Sequence, residues 1–264
     1  VDGWLEVGDR VFCRRYEPWD VTIGVVLSER GVVVIDTRAS HREGEELAAD
    51  VRALDPRPPG WVVNTHWHFD HTFGNGALLP AELWGHGTVP SRLGGGADAD
   101  GVAVVPPDHL VDARATFDLG DRAVELRHLG RGHTDGDLVV TVAGAGVTFA
   151  GDLVEESGPP AYGRDSFPLE WPVASARLLG LVRDGDRIVP GHGRVVDRAF
   201  VAAQCRDLDA VARTIRHLWV GEVPLAHALA AGDGRWPWPA AGLADAVAQG
   251  YEELDVSAER GSAG

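Results

Sequence analysis

Short β-branched runs broken by turn residues fill the first part of the chain. Residues 11–16 (VFCRRY), 21–27 (VTIGVVL) and 32–36 (VVVID) are separated by Gly and Pro and read as strands. The pattern then becomes amphipathic over residues 40–54. Ser40 stands at an N-cap position, and Glu43 three residues on completes a capping box, which predicts a helix. Residues 61–64 (WVVN) form another apolar run, which passes directly into THWHFDHTFGN. The histidine cluster is therefore expected on a loop at a strand end, with a short helix from about Asp70 to Gly76.

The rest of the chain alternates in the same way. Residues 122–128, 138–143 and 147–150 read as strands, 168–182 as a helix, 187–190 as a strand, and 198–218 and 240–254 as helices. The closing SAERGSAG reads as a frayed tail covering about residues 256–264. No linker or low-complexity block interrupts the sequence. One mixed α/β domain over residues 1–264 is expected.

Composition narrows the choice of function. The formal charge is −16, and the chain contains no lysine. That balance gives no help with phosphate backbones or anionic lipid, so neither nucleic acid nor membrane is expected as a partner. Cys13 and Cys205 are far apart and form no CxxC, so they read as two isolated thiols. No basic region followed by an apolar segment opens the chain, and no run approaches a membrane span. A cytoplasmic location and a small-molecule substrate are expected; the sequence leaves the oligomeric state open.

Candidate chemistry lies at the strand ends. His66 and His68 flank Trp67, and residues i and i+2 of an extended segment point the same way, so both imidazoles can reach one ion. His133, in GHTDGD, can supply a third nitrogen, and three histidines with an open position suit a catalytic zinc. Asp70 and His71, with His192 of PGHG, form a mixed nitrogen and oxygen set for a second ion. Asp152, after VTFAG, offers a carboxylate able to bridge two cations. A hydroxide between two divalent ions is then the expected nucleophile, and Asp70 is also the candidate proton shuttle. Five of the eleven histidines fall in these motifs. His41, His109, His217 and His227 read as ordinary residues; His86 and His128, each ending a strand, are weaker candidates for a supporting role.

THWHFDH, GHTDGD, AGD and PGHG, in that order, resemble the metallo-β-lactamase superfamily over most of the chain. The resemblance implies a four-layer αββα sandwich with metals at one edge of the two sheets. Its ligand pattern falls on His66, His68 and His133 for one ion, on Asp70, His71 and His192 for the other, and on Asp152 as the bridge. Asp36 matches an aspartate that supports the site from behind. Thr65 and Thr134 are candidates to hydrogen-bond the ligands, or plain turn residues. Two divalent ions are expected, zinc first, with iron or manganese as alternatives.

Departures from the family pattern guide the functional expectation. Members that degrade β-lactams lack the bridging aspartate, so Asp152 argues against that activity. No inserted domain or basic exosite suggests a nuclease. What remains resembles the glyoxalase II, lactonase and thioesterase group, implying a dinuclear hydrolase of an ester, thioester, lactone or related carbonyl bond. The alternatives are a mononuclear iron persulfide dioxygenase and a cyclase or thioesterase-type biosynthetic enzyme. Trp67 and Phe69, between the ligands, are expected to wall the substrate pocket. Tyr162, Arg164, Phe167 and Trp171 are expected there too, from a Gly- and Pro-rich segment that follows Asp152.

Overall fold

The computed structural model describes residues 3–262. Its first half contains strands β1 (Leu5–Gly8), β2 (Val11–Tyr16), β3 (Val21–Leu27), β4 (Val32–Ile35), β5 (Pro59–Val63), β6 (Glu82–His86) and β7 (His109–Val111). Its second half contains β8 (Arg114–Asp118), β9 (Ala123–His128), β10 (Leu138–Val142), β11 (Val147–Glu155) and β12 (Arg187–His192). The hydrogen-bonded order is β7-β6-β5-β4-β3-β12-β11-β10-β9-β8, with β2 and β1 continuing from β3. The two halves meet through a single residue pair, His192 opposite Val21.

Alternation along the strands explains the layering. Val33 and Ile35 join Leu126, Val140, Phe149 and Val189 in one core between the two halves. Val32 and Val34, one residue out of phase, pack instead with Leu47 and Val51 of helix α1 (His41–Leu54). On the other side Val139, out of phase with Val140, packs with helices α4 (Trp171–Leu181), α5 (Arg198–Val220) and α7 (Ala244–Ser262) through Leu178, Leu208 and Val247. The result is helix, sheet, sheet, helix: the expected αββα sandwich. The remaining helices are α2 (Phe69–Thr72), α3 (Val89–Leu93) and α6 (Leu225–Ala231). Among the described residues no helix is long and apolar enough to cross a membrane.

Several expected boundaries shift. Ser40 caps α1 by accepting from Glu43 N at 3.2 Å, but Glu43 Oε2 reaches back to Ala39 N, not to the cap residue's own N–H. The helix expected from Asp70 to Gly76 is one turn, α2, followed by a 3₁₀ turn over Asn75–Leu78. Asn75 is the cause: its amide exchanges hydrogen bonds with Asn64 and accepts from Thr37, which draws it out of helical line. Strand β11 runs five residues beyond position 150, so Asp152 lies within it. The chain is helical through Ser262, not frayed from residue 256; residues 263–264 lie outside the described residues.

Candidate metal centre

Four chain segments converge at the edge where the two halves meet. The β5 end and α2 bring His66, His68, Asp70 and His71; the loop after β9 brings His133; and β11 and β12 bring Asp152 and His192. A kink in β11 turns Asp152 toward the centre. Gly151 adopts φ +52 there, in the left-handed region, and a Cβ on it would sit 2.8 Å from Thr65. Across the pair, a Cβ on Gly191 would lie 1.8 Å from Asp152 Oδ1, so only glycine leaves that carboxylate room.

The structure brings all seven candidate ligands together in two adjoining groups. His66, His68, His133 and Asp152 offer ligand atoms within 4.8 Å of one another, and so do Asp70, His71 and His192. Asp152 faces both: Oδ2 is 3.4 Å from His133 Nε2 and 3.4 Å from His192 Nε2, while Oδ1 is 3.3 Å from His71 Nε2. Asp70 Oδ2 stands 3.2 Å from His192 Nε2.

The outer nitrogen of every histidine is engaged, and the hydrogen-bond network assigns its proton. His133 Nδ1 faces the carbonyl of Ala161 at 3.0 Å, and His192 Nδ1 that of Trp19 at 2.7 Å. His68 Nε2 faces Asp165 Oδ2 at 2.9 Å, and His71 Nδ1 faces Asp36 Oδ2 at 2.8 Å. Thr65 donates its hydroxyl to Asp36 and therefore accepts from His66 Nδ1 at 3.1 Å. Each imidazole thus donates outward and turns its other nitrogen inward. His68 Nδ1 and His133 Nε2 are 2.8 Å apart, and buried His66 Nε2 and Asp152 Oδ1 have no hydrogen-bond partner. Five inward nitrogens and two carboxylates converge on one space, the donor set that divalent ions take, so the residues present fit a metal centre.

Burial and charge act in opposite directions here. Desolvation lowers His66 and brings His133 down to about 4, keeping both neutral. Desolvation also opposes charge on His192, but Asp152 and Asp70 overcome it and raise that imidazole to about 11. For Asp152, burial pushes the carboxyl up, and the imidazoles of His71, His192, His66 and His133 outweigh it, holding it well below the carboxylate range.

Around the centre the sequence expectations divide. Asp36 is buried at φ 64, a backbone region that aspartate tolerates better than most residues, with its carboxylate against His71. Thr65 contacts His66, but Thr134 donates to Asp137 instead of a ligand. The rings of His86 and His128 lie 4.4 Å apart, with His128 Nδ1 on the Asp137 carbonyl, so they pair with each other. Phe69 is 39% exposed beside Asp70. Trp67 is half-buried on Val89, Leu93 and Val104, its ring 4.6 Å from that of His68.

The segment after Asp152 does lie against the site, but through other residues than expected. Trp171 is fully buried, donates to the Leu153 carbonyl and packs beneath His133, while Tyr162 packs on Trp171 in the core. Both have too much apolar area to leave at an open rim. Phe167 turns away, covered by the Arg131 guanidinium 4.2 Å from its ring centre, and Arg164 points to solvent. Asp165, its neighbour, reaches His68 instead. Asp165 was not legible because nothing in the sequence orders that loop. Trp19 was missed too: it lies in a β2–β3 turn remote from every motif. In the fold its carbonyl holds His192 and its ring meets Phe69 edge-on at 5.0 Å.

Comparison with known proteins agrees with this geometry. A family model described as the metallo-beta-lactamase superfamily matches residues 16–192, ending on the last candidate ligand. The chain is 27% identical over 184 residues to a metallo-beta-lactamase type 2 from Bacillus sp. (strain 170), covering 67% of this chain and 69% of that protein. It is 30% identical over 183 residues to a hydroxyacylglutathione hydrolase from Anaeromyxobacter dehalogenans (strain 2CP-C), covering 64% of this chain and 60% of that one. A solved metallo-beta-lactamase from Pontibacter korlensis superposes with a TM-score of 0.68 at 23% identity, over 78% of this chain and 98% of that one. At that identity the likeness speaks for the fold alone.

Proposed function

We propose that this chain, which belongs to the metallo-β-lactamase superfamily, is a dinuclear hydrolase acting on an ester, thioester, lactone or related carbonyl bond of a small molecule. One observation carries the reading: the Asp152 carboxylate lies between two adjoining groups of nitrogen and oxygen donors and faces members of both. His66, His68 and His133 would hold one ion; Asp70, His71 and His192 would hold the other. Mixed imidazole and carboxylate ligation suits zinc, with iron and manganese as competitors.

When bound, the ions supply an activated water and a Lewis acid for the carbonyl. The protein's own contribution is orientation. Outward hydrogen bonds to Asp36, Asp165, Ala161, Thr65 and Trp19 fix which nitrogen of each imidazole faces inward. Asp70 Oδ2, at the inner face, is placed to take a proton from the attacking water or return one to the leaving group. Trp19 and Phe69 form an exposed aromatic lip beside the centre, an apolar surface for the substrate body. The carboxylate shared by the two sets favours esters, thioesters and lactones over β-lactams.

Metal analysis of protein purified without supplement and then reconstituted tests the reading, combined with a panel of esters, thioesters, lactones and a β-lactam. Two ions per chain and cleavage of an ester, thioester or lactone are expected. One ion or fewer after reconstitution sinks the dinuclear centre; cleavage of the β-lactam alone overturns the substrate class.

A further inference from the structure

Helix α3 touches both chain segments that supply the three-histidine set. Its apolar residues Val89 and Leu93 pack, together with Val104, against Trp67, which stands between His66 and His68. Its last turn carries Arg92, whose Nε donates to Asp135 Oδ2 at 3.1 Å while Nη2 reaches the same oxygen. Asp135 is two residues past His133, on the loop that follows β9. One short helix thus grips the His66–His68 segment with its apolar side and the His133 loop with a guanidinium.

The loop is stiff where it meets the helix. Gly136 N donates to Thr134 Oγ1 at 3.1 Å, and that hydroxyl donates to Asp137 Oδ1 at 2.6 Å. The Asp137 carbonyl accepts from His128 Nδ1 at 3.0 Å. Gly136 itself lies against Thr88, the N-cap residue of α3. A Cβ there would sit 2.4 Å from Thr88 Oγ1 and 2.8 Å from His86 Nδ1, so a side chain would push the loop off the helix.

This contact bears on the first ion because it joins the two halves. The β5 end and α3 belong to the first half and the His133 loop to the second, while the sheet joins the halves only through His192 and Val21. His68 Nδ1 and His133 Nε2, from opposite halves, stand 2.8 Å apart, and any slide of the loop changes that separation. The Asp135 side chain is 16% exposed, and its Oδ1 is buried without a hydrogen-bond partner. Among the described residues Arg92 is the one cation paired with it. Without Arg92 a largely buried carboxylate stands unpaired, and movement of the loop toward water relieves it. The guanidinium is 42% exposed, so the pair adds little to global stability; its effect is on where the loop stands.

We propose that Arg92 is a positioning residue for the first ion, holding His133 against His66 and His68 through Asp135. The proposal rests on the metal centre of the hydrolase reading above, and its test reads metal without turnover. Full-length protein loaded with cobalt(II) is titrated with a chelator, and the visible bands of the ion report its ligand geometry. A His192→Ala background, in which the second set is incomplete, isolates the first ion. Arg92→Gln lowers first-ion affinity by about tenfold and shifts the cobalt bands, with second-ion affinity in the otherwise native chain unchanged. The melting temperature of the metal-stripped chain stays the same. Arg92→Lys recovers most of the loss, because both Arg92 donors converge on one oxygen that an ammonium can also reach. Asp135→Asn gives the signature of Arg92→Gln from the other end of the pair. Ser91→Ala, on the same helix but outside these contacts, changes nothing. Unaltered affinity and bands in Arg92→Gln, an equal loss of both ions, or a loss matched by a lower melting temperature of the stripped chain overturns the positioning role. Those results leave the metal centre standing; a parent chain that binds no cobalt removes the metal centre, and the hydrolase reading with it.

Discussion

The carboxylate of Asp36 sits 2.8 Å from Nδ1 of His71, and both side chains are shut off from water. The same carboxylate accepts from the backbone and hydroxyl of Thr65, whose oxygen in turn accepts from His66. One buried anion therefore orients a ligand in each half of the centre. Asp36→Asn keeps the shape and tolerates the left-handed backbone, but it loses the charge and one acceptor. Metal affinity is expected to fall by about 10- to 100-fold, read by competition with a chelator. Asp36→Ala leaves several buried donors unpaired and is expected to cost about 2–5 kcal/mol of folding stability as well. Unchanged metal affinity in Asp36→Asn contradicts the orienting role.

Asp152 and His192 separate the shared ligand from the single-site ligand. Asp152→Ala is expected to disturb both ions, because its carboxylate faces nitrogens of both sets. His192→Ala is expected to weaken mainly the second, since its nearest partners there are Asp70 and His71. Each loss should exceed the ~10–100-fold cost of removing an outer partner. Stoichiometry and affinity measured on both variants decide. If His192→Ala strips both ions while Asp152→Ala retains both, the bridge is wrongly assigned.

The candidate ligands could be gathered from the sequence because their spacing follows from strand geometry. His66 and His68 project together from an extended segment, and each remaining motif follows an apolar run long enough to be a strand. The partners that orient them were less legible. Asp165 and the carbonyls of Ala161 and Trp19 reach their histidines across 97, 28 and 173 residues. No local pattern records such contacts. Tyr162 and Trp171, expected at the pocket wall, pack instead in the core beneath His133, which has room for both rings. Strand β11 was cut short because Gly151 reads as a stop, whereas it is a kink within a continuing strand.

Outside the donor cluster, Glu253 of α7 predicts how stability responds to pH. Burial raises its carboxyl to about 7, against the ordinary value of 4.5, while Leu169 N donates to it at 3.4 Å. The folded state therefore holds this proton more tightly than the unfolded chain. Its contribution is fully present below about 4.5 and is lost as pH rises through 7. Glu253→Gln keeps an acceptor for Leu169 and cannot ionise. Thermal melts are expected to show the variant more stable than the parent at pH 8, with little difference at pH 4.5. A parent that is the more stable at pH 8 refutes the assignment.

Cys13 and Cys205 are free, and neither approaches the centre. Burial in β2 pushes the Cys13 thiol up to about 12, and desolvation also raises Cys205, so neither is a thiolate at neutral pH. Turnover is expected to survive Cys13→Ala with Cys205→Ser, at a stability cost of about 1–2 kcal/mol from the buried site. Alkylation of the native protein should be slow until it unfolds. A folded, metal-replete double variant without activity would assign the thiols a role that their surroundings do not explain.

Hydrolysis and oxygen chemistry can both use His66, His68 and His133. The second ligand set provides the argument. Asp70, His71 and His192 are gathered within 4.8 Å, and His71 and His192 are each held by an outward hydrogen bond. A mononuclear iron enzyme needs neither that gathering nor a carboxylate facing both sets. Hydrolysis needs a metal-activated water, which two divalent ions supply near neutral pH. The zinc-loaded protein is therefore expected to cleave an ester, thioester or lactone under anaerobic conditions, with no oxygen uptake when air is admitted. Asp70→Asn should lower turnover by about 10²- to 10⁴-fold if Asp70 moves the proton, with the metal content of the variant measured alongside. Activity that appears only with iron, consumes oxygen and follows a persulfide substrate would establish the dioxygenase and displace the hydrolase.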